Sequence, residues 1–399
     1  MKVVTTEEMR QIERAADASG LSFAQMMENA GRAVATTIAA RGLADPQGPI
    51  LVLCGPGNNG GDGLVAARLL AEAGHVVRAY CVKRPTDGDA NRARAIAAGV
   101  ALIDEADDAE RSALRAWLAE AALVVDALLG TGASLPLREP IRSVLALARE
   151  VVQERRARPS VQPAPIVPIA GRPSAPPPTS PALPRVVAVD CPSGLDCDTG
   201  ALDPDALPAD LTVTFAFPKV GHFNYPGAAA LGELLVADIG IPAALAADVA
   251  VDLATPDAMR ALLPARPANA HKGTFGKALI IAGSITYIGA AYLAGAAAVR
   301  AGVGLVTMAT PRSLQPILAS ALHETVWLGL PHEMGVIVED ACRLLDEKLA
   351  AHQALLIGPG LSQEKEAVEF VREFLLGGRA PQRGRGALGF LPRIATEET

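Results

Sequence analysis

Three stretches of the chain gather residues able to do chemistry: GPGNNGGDG (residues 55–63), DALLGTGASLP (from Asp126) and DCPSGLDCDTG (from Asp190). The first joins glycines, which let the main chain approach a ligand closely, to the amides of Asn58 and Asn59 and the carboxylate of Asp62. Amide and carboxylate oxygens suit a hard cation or a ligand rich in hydroxyls. The stretch is neither GxGxxG nor GxxxxGK[ST], so neither nucleotide fingerprint applies. Asn59, Asp126 and Ser193 together offer an amide, a carboxylate and a hydroxyl, an all-oxygen donor set for a cation, with no His or Cys cluster to suggest zinc. Asp190 follows the apolar run VVAV, which puts it at a strand tip, placed for acid–base work. Each acid taken alone could equally be a helix or turn cap. Ser193 lies in PSG, not in the GxSxG elbow, which disfavours a serine hydrolase.

These stretches need a frame that brings them together. PILVLC before the first reads as a buried parallel strand, and GLVAARLLAEAG after it as a helix stopped by Gly74. From Pro49 onward strand-like and helical runs alternate: HVVRAYCV, NRARAIAAG, ERSALRAWLAEA, ALVVDALLG, then a helix from Arg138 to Arg156. That alternation predicts a parallel sheet covered by helices on both faces. In such a sheet ligands bind beyond the carboxyl ends of the strands, so all three stretches should share one edge. Two helices precede the sheet, the first capped by Thr6 with no capping-box partner at Met9, the second capped by Ser22. Residues 159–184 are dense in Pro and nearly uncharged, and are read as an insertion within the first domain. RVVAVD, ADLTVTFAF and GELLVADIG add three strand-like runs, residues 243–267 read as a linker, and a second α/β pattern starts near His271. The long apolar segment from Ala278 to Ala309 carries Arg300 and several glycines, so it reads as strand, helix and strand and not as one membrane span.

Composition limits the partners. The chain has 399 residues, a formal charge of −7 and 4% aromatics, which argue against nucleic-acid binding and base stacking. Five cysteines without CxxC spacing suggest free buried thiols in a reducing compartment. MKVVTTEEMRQIERAA has acids where a signal peptide has an apolar core, so a cytoplasmic location away from membranes is expected, with a homo-oligomer as the assembly.

MENAGRAVA, GPGNNGGDG, VDALLGTG, VDCPSGLDCDTG, TFAFPKVGH and ADIGIP, in this order, resemble the NAD(P)H-hydrate epimerase family, the YjeF N-terminal domain. The resemblance implies a Rossmann-like three-layer α/β/α domain over residues 1–242, with the Pro-rich insertion at 157–184. It implies the interconversion of the R and S forms of hydrated NADH and NADPH. Asn58, Asn59, Gly60, Gly61 and Asp62 would then line the substrate site with Gly130, Thr131, Gly132, Ala133, Ser134, Leu135, Pro136 and Asp190. Asp190 would be the catalytic residue, and Asn59, Asp126 and Ser193 would hold potassium. HKGTFGKALIIAGSITYIGAAYLAGAAAVRAGVGLVTMATP and LLIGPGLS resemble the ADP-dependent NAD(P)H-hydrate dehydratases, implying a ribokinase-like α/β domain over residues 268–399. Ala290 and Gly360 match positions that face the hydrate there. The later motifs of that family, including its Gly-Ser-Gly-Asp phosphate loop, are not found, so this half is expected to be partial and without water elimination. ADP or ATP with Mg2+ would be needed only by a complete domain. A non-catalytic sensor using the same pocket, or a small-molecule kinase, are the alternatives from other classes.

Overall fold

A computed structural model describes residues 1–43, 48–157 and 184–377. The Pro-rich stretch at 158–183 and the Gly/Arg-rich tail from residue 378 lie outside the described residues. Two compact units divide the chain, Met1–Leu262 and Leu263–Thr399.

The first unit opens with helices α1 (Thr6–Ala18) and α2 (Phe23–Ala40), then alternates β1 (Ile50–Cys54), α3 (Asn58–Glu72), β2 (Val77–Cys81), α4 (Ala90–Ala97), β3 (Ala101–Asp104), α5 (Ser112–Glu120), β4 (Leu123–Ala127) and α6 (Ile141–Ala157). Strands β5 (Arg185–Val189), β6 (Leu211–Phe215) and β7 (Glu233–Ala237) follow, and α7 (Pro256–Leu262) ends the unit. The seven strands run parallel in the order β3-β2-β1-β4-β5-β6-β7. β1 is buried on both faces: Ile50, Val52 and Cys54 join one core with α2, α3 and α4, while Leu51 and Leu53 join another with α5 and α6. This is the continuous apolar strand that a doubly covered parallel sheet requires.

Four local expectations differ from the structure. Thr5, not Thr6, caps α1, and it does so in a capping box with Glu8. The strand β3 is short and only partly buried, so its apolar pattern is weak in the sequence. Much of the expected linker packs on the first unit: Ala246 and Val249 join its core, and Val3 N–H donates to the Val251 carbonyl. Last, α3 begins at Asn58, so Asn58–Gly63 form its opening turns and not a loop. Glycine is a poor helix residue, which is why the stretch reads as a loop. Here it is required by close approach: a Cβ on Gly63 would lie 2.5 Å from that of Ala127, and one on Gly60 2.1 Å from the Gly55 carbonyl oxygen.

The second unit is described by β8 (Lys277–Ile281), α8 (Ile288–Ala301), β9 (Leu305–Pro311), α9 (Gln315–Ala319), β10 (Val326–Leu330), the hairpin strands β11 (His332–Glu333) and β12 (Val336–Ile337), α10 (Ala341–Leu349), β13 (Ala354–Ile357) and α11 (Lys365–Leu376). Its main sheet is parallel in the order β10-β9-β8-β13. The apolar segment from Ala278 resolves into β8, α8 and β9, and no helix among the described residues is long and apolar enough to cross a membrane.

The α2–α3 crossing depends on Gly31, where a Cβ would meet Val65 Cβ at 2.5 Å and the Asp62 carbonyl oxygen at 2.7 Å. Gly31→Ala should therefore destabilise the first unit by about 1–3 kcal/mol, read as a lower urea midpoint. An unchanged midpoint would mean that the helices separate without cost.

Candidate functional site

The register aligns the carboxyl ends of the central strands. Cys54 pairs with Cys81 and Ala127, and Asp126 with Ala188, so the segments after β1, β4 and β5 emerge at one edge. Two polar clusters form there.

The first is built on Asp126, which is the penultimate residue of β4 and fully buried. Asp126 Oδ2 accepts from Ser193 N–H at 2.8 Å, and Oδ1 accepts from Ser193 Oγ at 2.6 Å and Leu128 N–H at 3.2 Å. Burial pushes the Asp126 carboxyl up, and the Ser193 and Leu128 hydrogen bonds only partly offset that. Leu129 N–H donates to Ser193 Oγ at 2.8 Å, and the Leu129 carbonyl accepts from Asn59 Nδ2 at 2.9 Å. Asn59 Oδ1 is buried with no partner. A buried acceptor without a donor beside an undercompensated carboxylate is what a cation would satisfy. Among the described residues no group of three or more His, Cys, Asp or Glu could hold a metal, so the oxygen set of Asn59, Asp126 and Ser193 stands apart from transition-metal sites.

The second cluster surrounds Asp190, one residue beyond β5. Its backbone takes φ 64°, in the left-handed region that a non-glycine residue rarely adopts, and its N–H donates to the Val213 carbonyl at 2.8 Å. Lys219 Nζ donates to Asp190 Oδ1, and Thr214 Oγ1 donates to the same oxygen at 2.9 Å. Lys219 Nζ also donates to Thr214 Oγ1 at 2.8 Å. Burial raises the Asp190 carboxyl, but the Lys219 charge and hydrogen bond outweigh it and hold Asp190 below the usual carboxylate value. Asp62 goes the other way: burial, then the charges of Asp190 and Glu13, raise it well above the ordinary range. Glu13 on α1 is also raised, by burial first, and it feels both Lys219 and Asp190. The surroundings of Asp190 and Asp62 thus push the two carboxyls in opposite directions.

Lys219, Thr214, Glu13 and His222 carry no role in the sequence reading. The run TFAFPKVGH marks Lys219 and His222, but a lysine after a strand reads as a solvated end; only the fold shows it buried against Asp190. Of the expected substrate-lining residues, Asn59 and Asp62 are buried, while Gly130 packs on Asn59 so closely that a Cβ added to it would lie 3.2 Å from Asn59 Cγ. Thr131 to Pro136 continue as a partly exposed loop beyond β4. Ala290 and Gly360 belong to the second unit, where they meet: a Cβ on Gly360 would lie 2.7 Å from that of Ala290.

His222 Nδ1 accepts the Lys219 backbone N–H at 3.2 Å, which leaves the ring proton on Nε2, buried without a partner. Burial, reinforced by the Lys219 charge, lowers this histidine to about 4 from 6.5. A depressed folded value means stability present above pH 6.5 and lost as pH falls towards 4. Between pH 7 and 4 the wild-type unfolding free energy should fall by roughly 3 kcal/mol more than that of His222→Asn, which keeps an acceptor but does not titrate. Urea titrations across this window check it; parallel pH profiles would exclude His222 as the source.

Comparison with known proteins finds relatives of both units. Residues 23–221 match the family model for the YjeF-related protein N-terminus, and residues 278–379 match that for NAD(P)H-hydrate dehydratase. The bifunctional NAD(P)H-hydrate repair enzyme Nnr of Moorella thermoacetica is 38% identical over 94% of this chain and 67% of its own length. The Nnr of Thermofilum pendens is 35% identical over 93% of this chain and 65% of its own length. A solved ADP/ATP-dependent NAD(P)H-hydrate dehydratase from Bacillus subtilis, co-crystallised with ATP and Mg2+, is 34% identical over 29% of this chain and 39% of that chain, with a TM-score of 0.24. The chain thus spans about two thirds of the length of its curated relatives. By the Moorella relative, with a family model matching each of its two units, the chain belongs to the family of bifunctional NAD(P)H-hydrate repair enzymes.

Proposed function

We propose that the first unit epimerises hydrated NADH and NADPH at C6 of the reduced nicotinamide ring, making the S form available for dehydration back to the cofactor. The observation that carries this reading is the Asp190–Lys219–Thr214 cluster with Asp62 raised beside it. In the substrate C6 bears a hydroxyl next to N1. Inversion needs either loss and return of that hydroxyl or opening and closing of the N1–C6 bond. In the second route the hydroxyl gives up its proton as the N1–C6 bond breaks to leave an aldehyde, and N1 gains a proton. Rotation and the reverse steps then close the ring with the opposite configuration, so atoms and electrons balance. Asp190, kept ionised by Lys219, is the acceptor in this account, and Asp62 the donor. The hydroxyl-loss route uses the same pair, with Asp62 protonating the departing oxygen.

Asn59, Asp126 and Ser193 would hold a potassium ion, which supplies a fixed positive charge beside the substrate oxygens. The partnerless Asn59 Oδ1 and the single carboxylate of Asp126 support a monovalent ion. Free, buried cysteines fit a reducing, cytoplasmic setting, and the reading needs neither a membrane nor nucleic acid. The likeness of the second unit to NAD(P)H-hydrate dehydratases supports a nucleotide and Mg2+ on the dehydration side of the family.

The direct test incubates the full chain with R-hydrated NADH and a separate active dehydratase, with and without ADP and Mg2+. Complete return to NADH is expected; recovery limited to the S fraction would refute the reading. Asp190→Asn should lower the epimerisation rate about 10²-fold or more. It also strands the buried Lys219 charge, at a cost of about 3–5 kcal/mol in stability. The double variant Asp190→Asn with Lys219→Met should recover stability without activity, and activity recovered with it would mean that Asp190 serves only the fold. Asp126→Ala should weaken substrate binding and the potassium response together. A potassium response unaltered by this substitution removes these residues from the ion site.

A further inference from the structure

The glycine-rich connection between β1 and α3 is held from behind by Arg84. Beyond β2 the backbone of Lys83 turns with φ 50°, and Arg84 follows this turn to lie against that connection. Its Nη1 donates to the carbonyls of Gly55 at 2.8 Å and Gly57 at 3.0 Å, and its Nε donates to Asp89 Oδ2 at 2.6 Å. The side chain is 8% exposed. Asp89 is fixed in turn, because its Oδ1 caps α4 by accepting from the N–H groups of Asn91 and Arg92. The glycines pack directly on the guanidinium: a Cβ on Gly60 would come within 2.7 Å of Nη1.

A cation at a helix N-terminus opposes the helix dipole, so this placement needs a reason. The peptide group is planar and trans, so turning the Gly57 carbonyl towards Arg84 aims the Asn58 N–H the opposite way. The N–H groups of Asn58, Asn59 and Gly60 are those that an α-helix leaves without an intrahelical partner, and Gly57 supplies no side-chain cap. The Gly57 carbonyl also accepts from Gly61 N–H, at 3.3 Å, so the Arg84 bonds at 2.8 and 3.0 Å are the shorter hold on the Gly55 and Gly57 peptide planes, and without them these side-chain-free residues gain freedom to turn. Asp89 offsets the Arg84 charge, and the remaining positive field favours an anion in front of the loop.

We propose that Arg84 is a positioning residue for epimerisation: it locks the peptide planes of Gly55 and Gly57 so that the first-turn N–H groups of α3 face the diphosphate of the hydrated dinucleotide. This rests on the epimerase reading for the identity of the ligand, while the locking of the loop does not. The test compares full-length wild type, Arg84→Ala and Arg84→Lys by steady-state kinetics and by hydrogen exchange of residues 55–63. For Arg84→Ala, KM should rise about tenfold or more while kcat stays within about threefold, and exchange in the loop should quicken about tenfold. Millimolar guanidinium should restore both. A merely structural role would lower kcat with the folded fraction and leave KM unmoved, and that result, or wild-type KM and exchange, overturns the proposal. Should Arg84→Ala not fold, Arg84→Lys, which keeps the charge but has no second nitrogen to bond Asp89 while its ammonium reaches the carbonyls, decides by the same readouts: raised KM supports the proposal and wild-type KM overturns it. Failure of the wild type to epimerise would sink the proposed function alone, since the exchange comparison still reports on the loop.

Discussion

A lysine and an aspartate with almost no access to water hold the first unit's site together. Burying two charges costs several kcal/mol per ion, repaid only when geometry and further hydrogen bonds are good. Thr214 provides those bonds, accepting from Lys219 and donating to Asp190, so that three polar groups close on one another. The pair also draws in its surroundings. The Lys219 charge adds to the burial that keeps His222 neutral, and the Asp190 charge adds to the burial that raises Asp62. Asp190 accepts a left-handed backbone, a strain of order 1–2 kcal/mol, in exchange for this position at the strand tip.

The parallel sheet is what makes such a pair useful. Because β1, β4 and β5 end level, an amide from α3, a carboxylate from β4 and a hydroxyl from the segment after β5 come together around the Leu129 backbone. The cost of assembling polar groups at the end of buried strands falls on glycine. Gly55 could carry no side chain, since a Cβ there would sit 1.7 Å from the Leu128 carbonyl oxygen. The glycines of α3 weaken the helix locally but let it approach β4 and the β1 end closely, which puts Asn59 and Asp62 below the surface.

The second unit repeats the principle on a smaller sheet. Gly283 and Gly360 follow β8 and β13 with positive φ, and Gly360 seats against Ala290 and Tyr287 at the start of α8. Ser284 and Thr310, at the carboxyl ends of β8 and β9, are fully buried with hydroxyls lacking partners. As in the first unit, polar groups collect where neighbouring parallel strands end.

Much of this was legible in residue order alone. Apolar runs such as ILVLC and VVAV, followed by Gly55 and Asp190, and LVV, followed by Asp126, specify parallel strands and the edge where their ends meet, because a strand covered on both faces must be apolar throughout. That is enough to find Asp190, Asp126, Ser193 and Asn59 and to expect an all-oxygen set. Sequence alone could not show that Asn58–Gly63 are helical, since intrinsic propensity opposes it and only packing against Met27, Ala127 and Gly55 overrides it. Nor could it rank the acids. Asp62, Asp126 and Asp190 look alike as residues, and what separates them is burial and the neighbour each meets. Lys219 lies 29 positions from Asp190, and Arg84 29 positions from Gly55; each is an ordinary basic residue until folding removes the water around it. Local pattern determined the elements and the edge, while the tertiary structure decided protonation and position, because both depend on desolvation by residues distant in the chain.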